Sequence, residues 1–212
     1  MSTHAKRERL VLADLLEEAG PDAPTLCDGW NTRDLAAHVV VRERRPDAAA
    51  GMVIKPLAAR GENIRTEFAA KPYAELLELI RSGPGRGSPF SLKPIDEAAN
   101  TVEFFLHAED VRRGGEGWEP RALDPVFAEA LWKRLESTAR LMGRKSPVGL
   151  VLRRPNGQTV VAQKGAPVVT VTGEPGELLL FASGRQRAAR VTVEGEEAAV
   201  KAAGAAQMGL GG

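Results

Sequence analysis

Residues 95–113, Ile95-Asp-Glu-Ala-Ala-Asn-Thr-Val-Glu-Phe-Phe-Leu-His-Ala-Glu-Asp-Val-Arg-Arg113, decide how the chain is read. No Gly or Pro interrupts them, Pro94 precedes them and Gly114-Gly115 follows, so the stretch predicts one long helix. Ile95, Ala99, Val102 and Leu106 recur at three- and four-residue spacing, which places a stripe against a core. Glu103 and His107 lie alongside that stripe, four residues and hence one turn apart, with Cβ atoms about 5–6 Å from each other. A carboxylate set in Val-Glu-Phe-Phe-Leu-His-Ala is expected to be partly buried, and a buried unpaired charge costs several kcal/mol. It needs a partner. A cation shared with His107 is one answer, and a Glu–His hydrogen bond across the turn is another.

Working outward, 212 residues allow one large domain or two small ones, and 43% hydrophobic with 27% charged residues is ordinary for a globular chain. The formal net charge of +1 gives no nucleic-acid footprint and no call for an acidic partner. The start, MSTHAKRERL, has no apolar run of the signal-peptide kind, and no stretch is long enough to span a membrane. A single cysteine, Cys27, excludes an intrachain disulfide framework and fits a reducing cytoplasm. Only three histidines exist, His4, His38 and His107. With His4 in a terminus expected to fray, a two-histidine site must use His38 and His107.

Before the long helix the sequence predicts three others. Residues 5–18 form an amphipathic helix with Leu10, Ala13, Leu15 and Leu16 among its apolar positions, ended by Gly20-Pro21. The breaker-rich turn 24–30 leads to Asn31 or Thr32 as cap of a helix running to about Arg45 and stopped by Pro46. Trp30 is placed as a staple or lid over that helix end. His38 borders its apolar face, and Asp34, one turn earlier, is placed to orient its ring. Residues 47–71 are loosely patterned, with Gly51, Pro56 and Gly61 breaking any long helix. Pro72 opens YAELLELIRS, whose core face is Leu76, Leu77, Leu79 and Ile80, and 83–94 is a loop. Four helices to residue 117 predict a four-helix bundle, an architecture that builds cofactor sites from facing helices.

From residue 118 the pattern becomes α+β. Asp124 caps a helix ending at Gly143; strands follow at 148–152, 159–162 and 168–172, with Asn156-Gly157 as the hairpin cue. A short helix (176–184), a strand (190–194) and a helix (196–206) complete it, and the terminal MGLGG is read as disordered. The fold class expected is therefore α+β in two domains, 1–117 and 118–212.

The segment Leu26-Cys27-Asp28-Gly29-Trp30 through His38 resembles the first signature of the DinB-like, mycothiol-dependent maleylpyruvate isomerase and mycothiol S-transferase family, in which a Cys-x-Gly-Trp turn leads into a helix carrying a histidine ligand. Glu103-x-x-x-His107 resembles the second, and the strand–helix–Gly184-Arg185–strand pattern resembles the family's sterol-carrier-like C-terminal domain. The runs 38–47 and 107–113 look like an actinobacterial branch rather than the isomerase itself. The resemblance implies metal ligation by His38, Glu103 and His107, an open coordination position of the catalytic kind, and mycothiol as a thiol partner acting on an electrophilic substrate. Zinc is the first metal implied, with Fe²⁺ or Ni²⁺ also suited to this donor set.

Further candidates are weighed singly. Arg42, one turn beyond His38, either faces an anionic substrate or is a cation favouring a helix C-terminus. Arg185, with Arg187 and Arg190, either closes the cleft, as the family implies for its second domain, or forms a solvated basic turn. Cys27 is either a reactive thiol or a small buried hydrophobe, and Asp110 either supports His107 or pairs with Arg113. The functional expectation is a metal- and thiol-dependent isomerase or transferase. The alternative is a non-catalytic metal-binding or apolar-ligand-carrying module.

Overall fold

The computed structural model describes residues 3–45, 58–85 and 87–209. Pro46, Gly51 and Pro56, read above as breakers, lie outside them. The chain divides into two compact units, Met1–Trp118 and Glu119–Gly212.

The first unit contains five α-helices among the described residues: α1 His4–Ala19, α2 Thr32–Arg44, α3 Ala58–Ala69, α4 Tyr73–Ser82 and α5 Lys93–Arg112. Several boundaries have a local cause. Asn31 caps α2, its side chain accepting from Asp34 N while Asp34 accepts from Asn31 N, a reciprocal capping box. Gly20, at φ 74, ends α1 in a conformation that favours glycine. Pro94 sits inside the first turn of α5, where a missing N–H costs no helical bond. The start of α1 is held from a distance: Glu97 of α5 accepts from His4 N at 3.2 Å and Ala5 N at 3.0 Å, so His4 does not fray.

Helix α3 is a departure from the sequence reading, which left 47–71 loosely patterned. Gly61 is accommodated inside it at a cost of about 1 kcal/mol. Ile64 is its one buried side chain, so the periodic signal is weak. The core of this unit gathers Leu12, Leu16, Leu35, Val39, Leu76, Ile80, Phe104 and Val111 around α1, α2, α4 and α5.

The inward face of α5 also differs from the stripe read above. Ile95 is 39% exposed, and Ala99 and Val102 are half-buried. Leu106 is buried as read, and Asp96, Asn100, Phe104, Ala108 and Val111 are buried with it. Asp96 and Asn100 are polar, and they are tolerated because partners wait for them. Arg9 of α1 donates to Glu43 at 2.6 Å and to Asp96 at 3.1 Å. Asn100 donates to Asp96 at 2.7 Å and to Glu43 at 3.3 Å. Buried polar groups persist when they are hydrogen-bonded, and here the pairing outweighs the apolar period. Leu10 of α1 likewise faces outward at 39% exposure, and Leu12 takes the core position.

The second unit is α+β. Helix α6 (Pro125–Gly143) is capped by Asp124, which accepts from Val126 N and Phe127 N. Strands β1 Gly149–Arg153, β2 Thr159–Gln163, β3 Val168–Thr172 and β4 Thr192–Glu194 form one sheet in the order β2-β1-β3-β4. β1 pairs antiparallel with β2 across the Asn156-Gly157 turn and parallel with β3, and β4 closes antiparallel on β3. Helices α7 (Pro175–Ala182) and α6 pack together, and α6 also packs on β2. Gly143 is required at that crossing, since a Cβ there would meet the Cβ of Ala162 at 2.9 Å. Helix α8 spans Glu197–Ala205. Met208, within the tail read as disordered, is buried at 4% exposure. Among the described residues no helix is long and apolar enough to cross a membrane.

Candidate functional site

Helices α2 and α5 present His38 and Glu103-x-x-x-His107 to each other. Glu103 Oε1 lies 3.3 Å from His38 Nε2 and 3.2 Å from His107 Nε2. The two imidazoles stand edge to face, with ring centroids 5.1 Å apart and planes at 75°. The three donor atoms all fall within 4.8 Å of one another. The three sequence-read ligand candidates therefore meet at one place.

The surroundings set their charge. Burial pushes Glu103 up, but the hydrogen bonds from His107 and His38, with Arg42, outweigh it and hold the carboxyl well below its usual range. Burial pulls His107 down, yet Asp110, Cys27 and Glu103 together hold it well above 6.5. At His38 burial wins, and its imidazole sits below 6.5 despite the Glu103 hydrogen bond. The carboxyl is thus drawn toward its charged form, while the two imidazoles it bridges are shifted in opposite directions.

Two further groups frame the trio. Arg42 Nε is 3.2 Å from Glu103 Oε1. Its other nitrogens donate to Asn100 Oδ1 and, at 3.3 Å, to Ala99 O, and its guanidinium lies 4.9 Å from the Phe90 ring centre. Arg42 is therefore bound across to α5 rather than serving only its own helix end. Asp110, fully buried, accepts from His107 Nδ1 at 2.9 Å and from Cys27 Sγ at 3.2 Å. Arg113 pairs with Glu109, at 2.7 Å. Asp34, expected beside His38, accepts from Asn31 N and from Arg65 Nη1, the latter at 2.6 Å. The group beside His38 is Trp30, with ring centroids 5.1 Å apart. Arg185 lies in the second unit, where Nη1 donates to Ser183 O at 2.7 Å.

The donor set suits a divalent cation. Zinc bonds of about 2.0–2.2 Å place tetrahedral neighbours about 3.3–3.6 Å apart, close to the two Glu103–histidine distances. His107 has its Nδ1 occupied by Asp110, which leaves Nε2 as the donor, the arrangement by which carboxylates orient ligating imidazoles.

The family model of the mycothiol maleylpyruvate isomerase N-terminal domain matches residues 3–139. The chain belongs to that family. The match takes in α1 to α5 with all of His38, Glu103 and His107, and runs past residue 118 into α6. Two solved structures share the fold of this family member: a mycothiol-dependent maleylpyruvate isomerase (TM-score 0.60) and a histidine-to-alanine mutant of it (0.59). Each is 20% identical, with 90% of this chain and 90% of that chain covered. No curated protein matches the chain.

Sequence reasoning missed Trp30 as the neighbour of His38, Asn100 and Phe90 as the holders of Arg42, and Arg65 behind Trp30. Only Asn100 left a trace, lying three residues before Glu103 and so on the same side of α5. The others arrive from separate segments, and no local period signals them.

Proposed function

We propose that the protein is a mycothiol-dependent isomerase or transferase that holds a divalent metal, zinc by preference, on His38, Glu103 and His107. The observation that carries this reading is the convergence of those three donors, within 4.8 Å, in a chain of this family. A cation bound there supplies a Lewis acid that favours the thiolate of a bound low-molecular-weight thiol, its nucleophilic form.

The chain's own residues do the rest. Asp110 keeps Nε2 of His107 directed at Glu103, and Trp30 packs on the ring of His38. Arg42, fixed by Asn100 and Ala99, keeps a positive charge beside Glu103 that orients an anionic electrophile. The thiolate sulfur forms a bond to the electrophilic carbon. In isomerisation of an unsaturated substrate the electron pair of the double bond moves away, the former double bond rotates, and loss of the same sulfur with its electron pair restores it and frees the thiolate. In conjugation the adjacent carbon takes up a proton instead, and in transfer a leaving group departs with the electron pair.

The test is a thermal-shift series on purified protein with zinc, Fe²⁺ and Ni²⁺, each with and without mycothiol. The expected result is stabilisation by mycothiol only in the metal-loaded protein. Stabilisation by apolar ligands alone would favour a carrier module and overturn the enzyme reading.

A further inference from the structure

The turn between α1 and α2 touches both histidines of the site, although they lie on different helices. It is a built element. Pro24 and Asn31 form an isolated antiparallel bridge across it. Thr25 Oγ1 accepts from Cys27 N at 3.1 Å and donates to Trp30 O at 2.8 Å, and Trp30 N donates to Cys27 O at 3.0 Å. Gly29 takes φ 75, a left-handed value that permits the tight reversal. The turn is also fastened to the end of α5: Leu26 N donates to Asp110 O at 3.1 Å. Gly114 admits this approach, since a Cβ there would stand 2.1 Å from Pro24 O.

From that base two side chains reach the site. The Cys27 thiol donates to Asp110 Oδ2, the same oxygen that receives His107 Nδ1. A carboxylate on Nδ1 holds the hydrogen there and leaves Nε2 to face Glu103 and His38. Trp30 packs against His38 at 5.1 Å, tilted by 47°. Behind it lies the Arg65 guanidinium, 5.0 Å from the ring and itself bonded to Asp34 and Glu62. One short turn therefore fixes the ring of a histidine on α2 by packing and the ring of a histidine on α5 by a hydrogen-bond chain.

We propose that the Pro24–Asn31 turn is the positioning element of the histidine pair, with Cys27 acting on His107 through Asp110 and Trp30 acting on His38. The consequence for metal affinity rests on the function proposed above, whereas the ring orientation is a property of the protein by itself. Cys27, Asp110 and Trp30 are positioning residues.

The experiment compares wild type with Asp110→Ala, Asp110→Asn, Cys27→Ala, Trp30→Leu and Trp30→Phe, each checked for fold by circular dichroism. Zinc affinity is read by competition with a fluorescent chelator. The Nδ1–H proton of His107 is read by NMR in chelator-treated protein, assigned by its loss in His107→Ala. Asp110→Ala is expected to weaken zinc about 10–100-fold, the range seen when outer partners of metal ligands are removed, and to abolish the Nδ1–H signal. Asp110→Asn keeps an acceptor oxygen and should retain the signal. Trp30→Leu should weaken zinc and Trp30→Phe restore it, while Cys27→Ala gives a smaller loss because a thiol is a weak donor. Wild-type zinc affinity and an unchanged Nδ1–H signal in folded Asp110→Ala, with unchanged affinity in Trp30→Leu, would overturn the proposal. If Asp110→Ala does not fold, the Cys27 and Trp30 variants decide by the same affinity readout. If wild type binds no zinc, the metal reading fails, and the Nδ1–H signal alone decides the positioning.

Discussion

Helices α2 and α5 meet at two polar clusters with opposite chemistry. Toward the start of α5, Glu43, Asp96, Asn100 and Arg9 are all buried, and each carboxylate meets a guanidinium or an amide. About one to two turns on, Glu103 meets two imidazoles and Arg42 with a quarter of its side chain exposed. In the first cluster two carboxylates share one guanidinium and one amide, groups that bind no cation. The second gathers three groups able to share one, at a place solvent can reach. A buried polar cluster becomes a candidate site when its members are ligands held toward one another, not when they are merely charged.

The sharpest way to break this comparison is to remove Arg9. Arg9→Ala leaves Glu43 and Asp96 buried without their cation and is expected to cost about 3–5 kcal/mol, the usual penalty for breaking a buried pair. Urea denaturation measures it, and a cost near zero would mean that the first cluster is not structural. Burial raises Glu43 from 4.5 to about 7, against the pull of Arg9, Arg42 and Arg44. A group whose folded pKa lies above its unfolded value favours folding below the unfolded pKa and loses that contribution as pH rises. At about 1.4 kcal/mol per unit, roughly 3 kcal/mol should be lost between pH 4.5 and 8. The slope attributable to Glu43 is wild type minus Glu43→Gln, which removes the contribution of His107 that runs in the same direction. Glu103→Gln should abolish the response to zinc. In wild type a hundredfold excess over Kd should raise stability by about 2.7 kcal/mol. Equal zinc stabilisation of both proteins in a denaturation series would remove Glu103 from the ligand set.

Much of the scaffold was legible because its signals are local. Pro94 marked the first turn of α5 and Gly114-Gly115 its end, Asn31 was one of two caps read for α2, Asp124 announced the cap of α6, and Asn156-Gly157 announced the β1–β2 hairpin. The histidine pair was legible through scarcity, with three histidines in the chain and one at the terminus. What stayed hidden depends on partners distant in sequence. Asp96 and Asn100 turn inward where Arg9 and Glu43 meet them, so the apolar stripe caught Leu106 but missed most of the inward face of α5. Asp34 was assigned to His38 on spacing, but Arg65, on a helix that Gly61 had obscured, takes its carboxylate. The chain from Cys27 to Asp110 to His107 spans more than eighty positions and leaves no periodic mark.

Arg42 belongs to both clusters, with Nε on Glu103 and Nη1 on Asn100, which in turn bonds Glu43 and Asp96. A rigid planar cation joined to both makes the interior of α2 and α5 a single circuit. Substitutions at its two ends will not behave as independent lesions: double changes at Glu43 and Glu103 should deviate from the sum of the single ones, as groups in one network do. Selection acting on the buried network would then also tune the candidate site, and the two could drift only together.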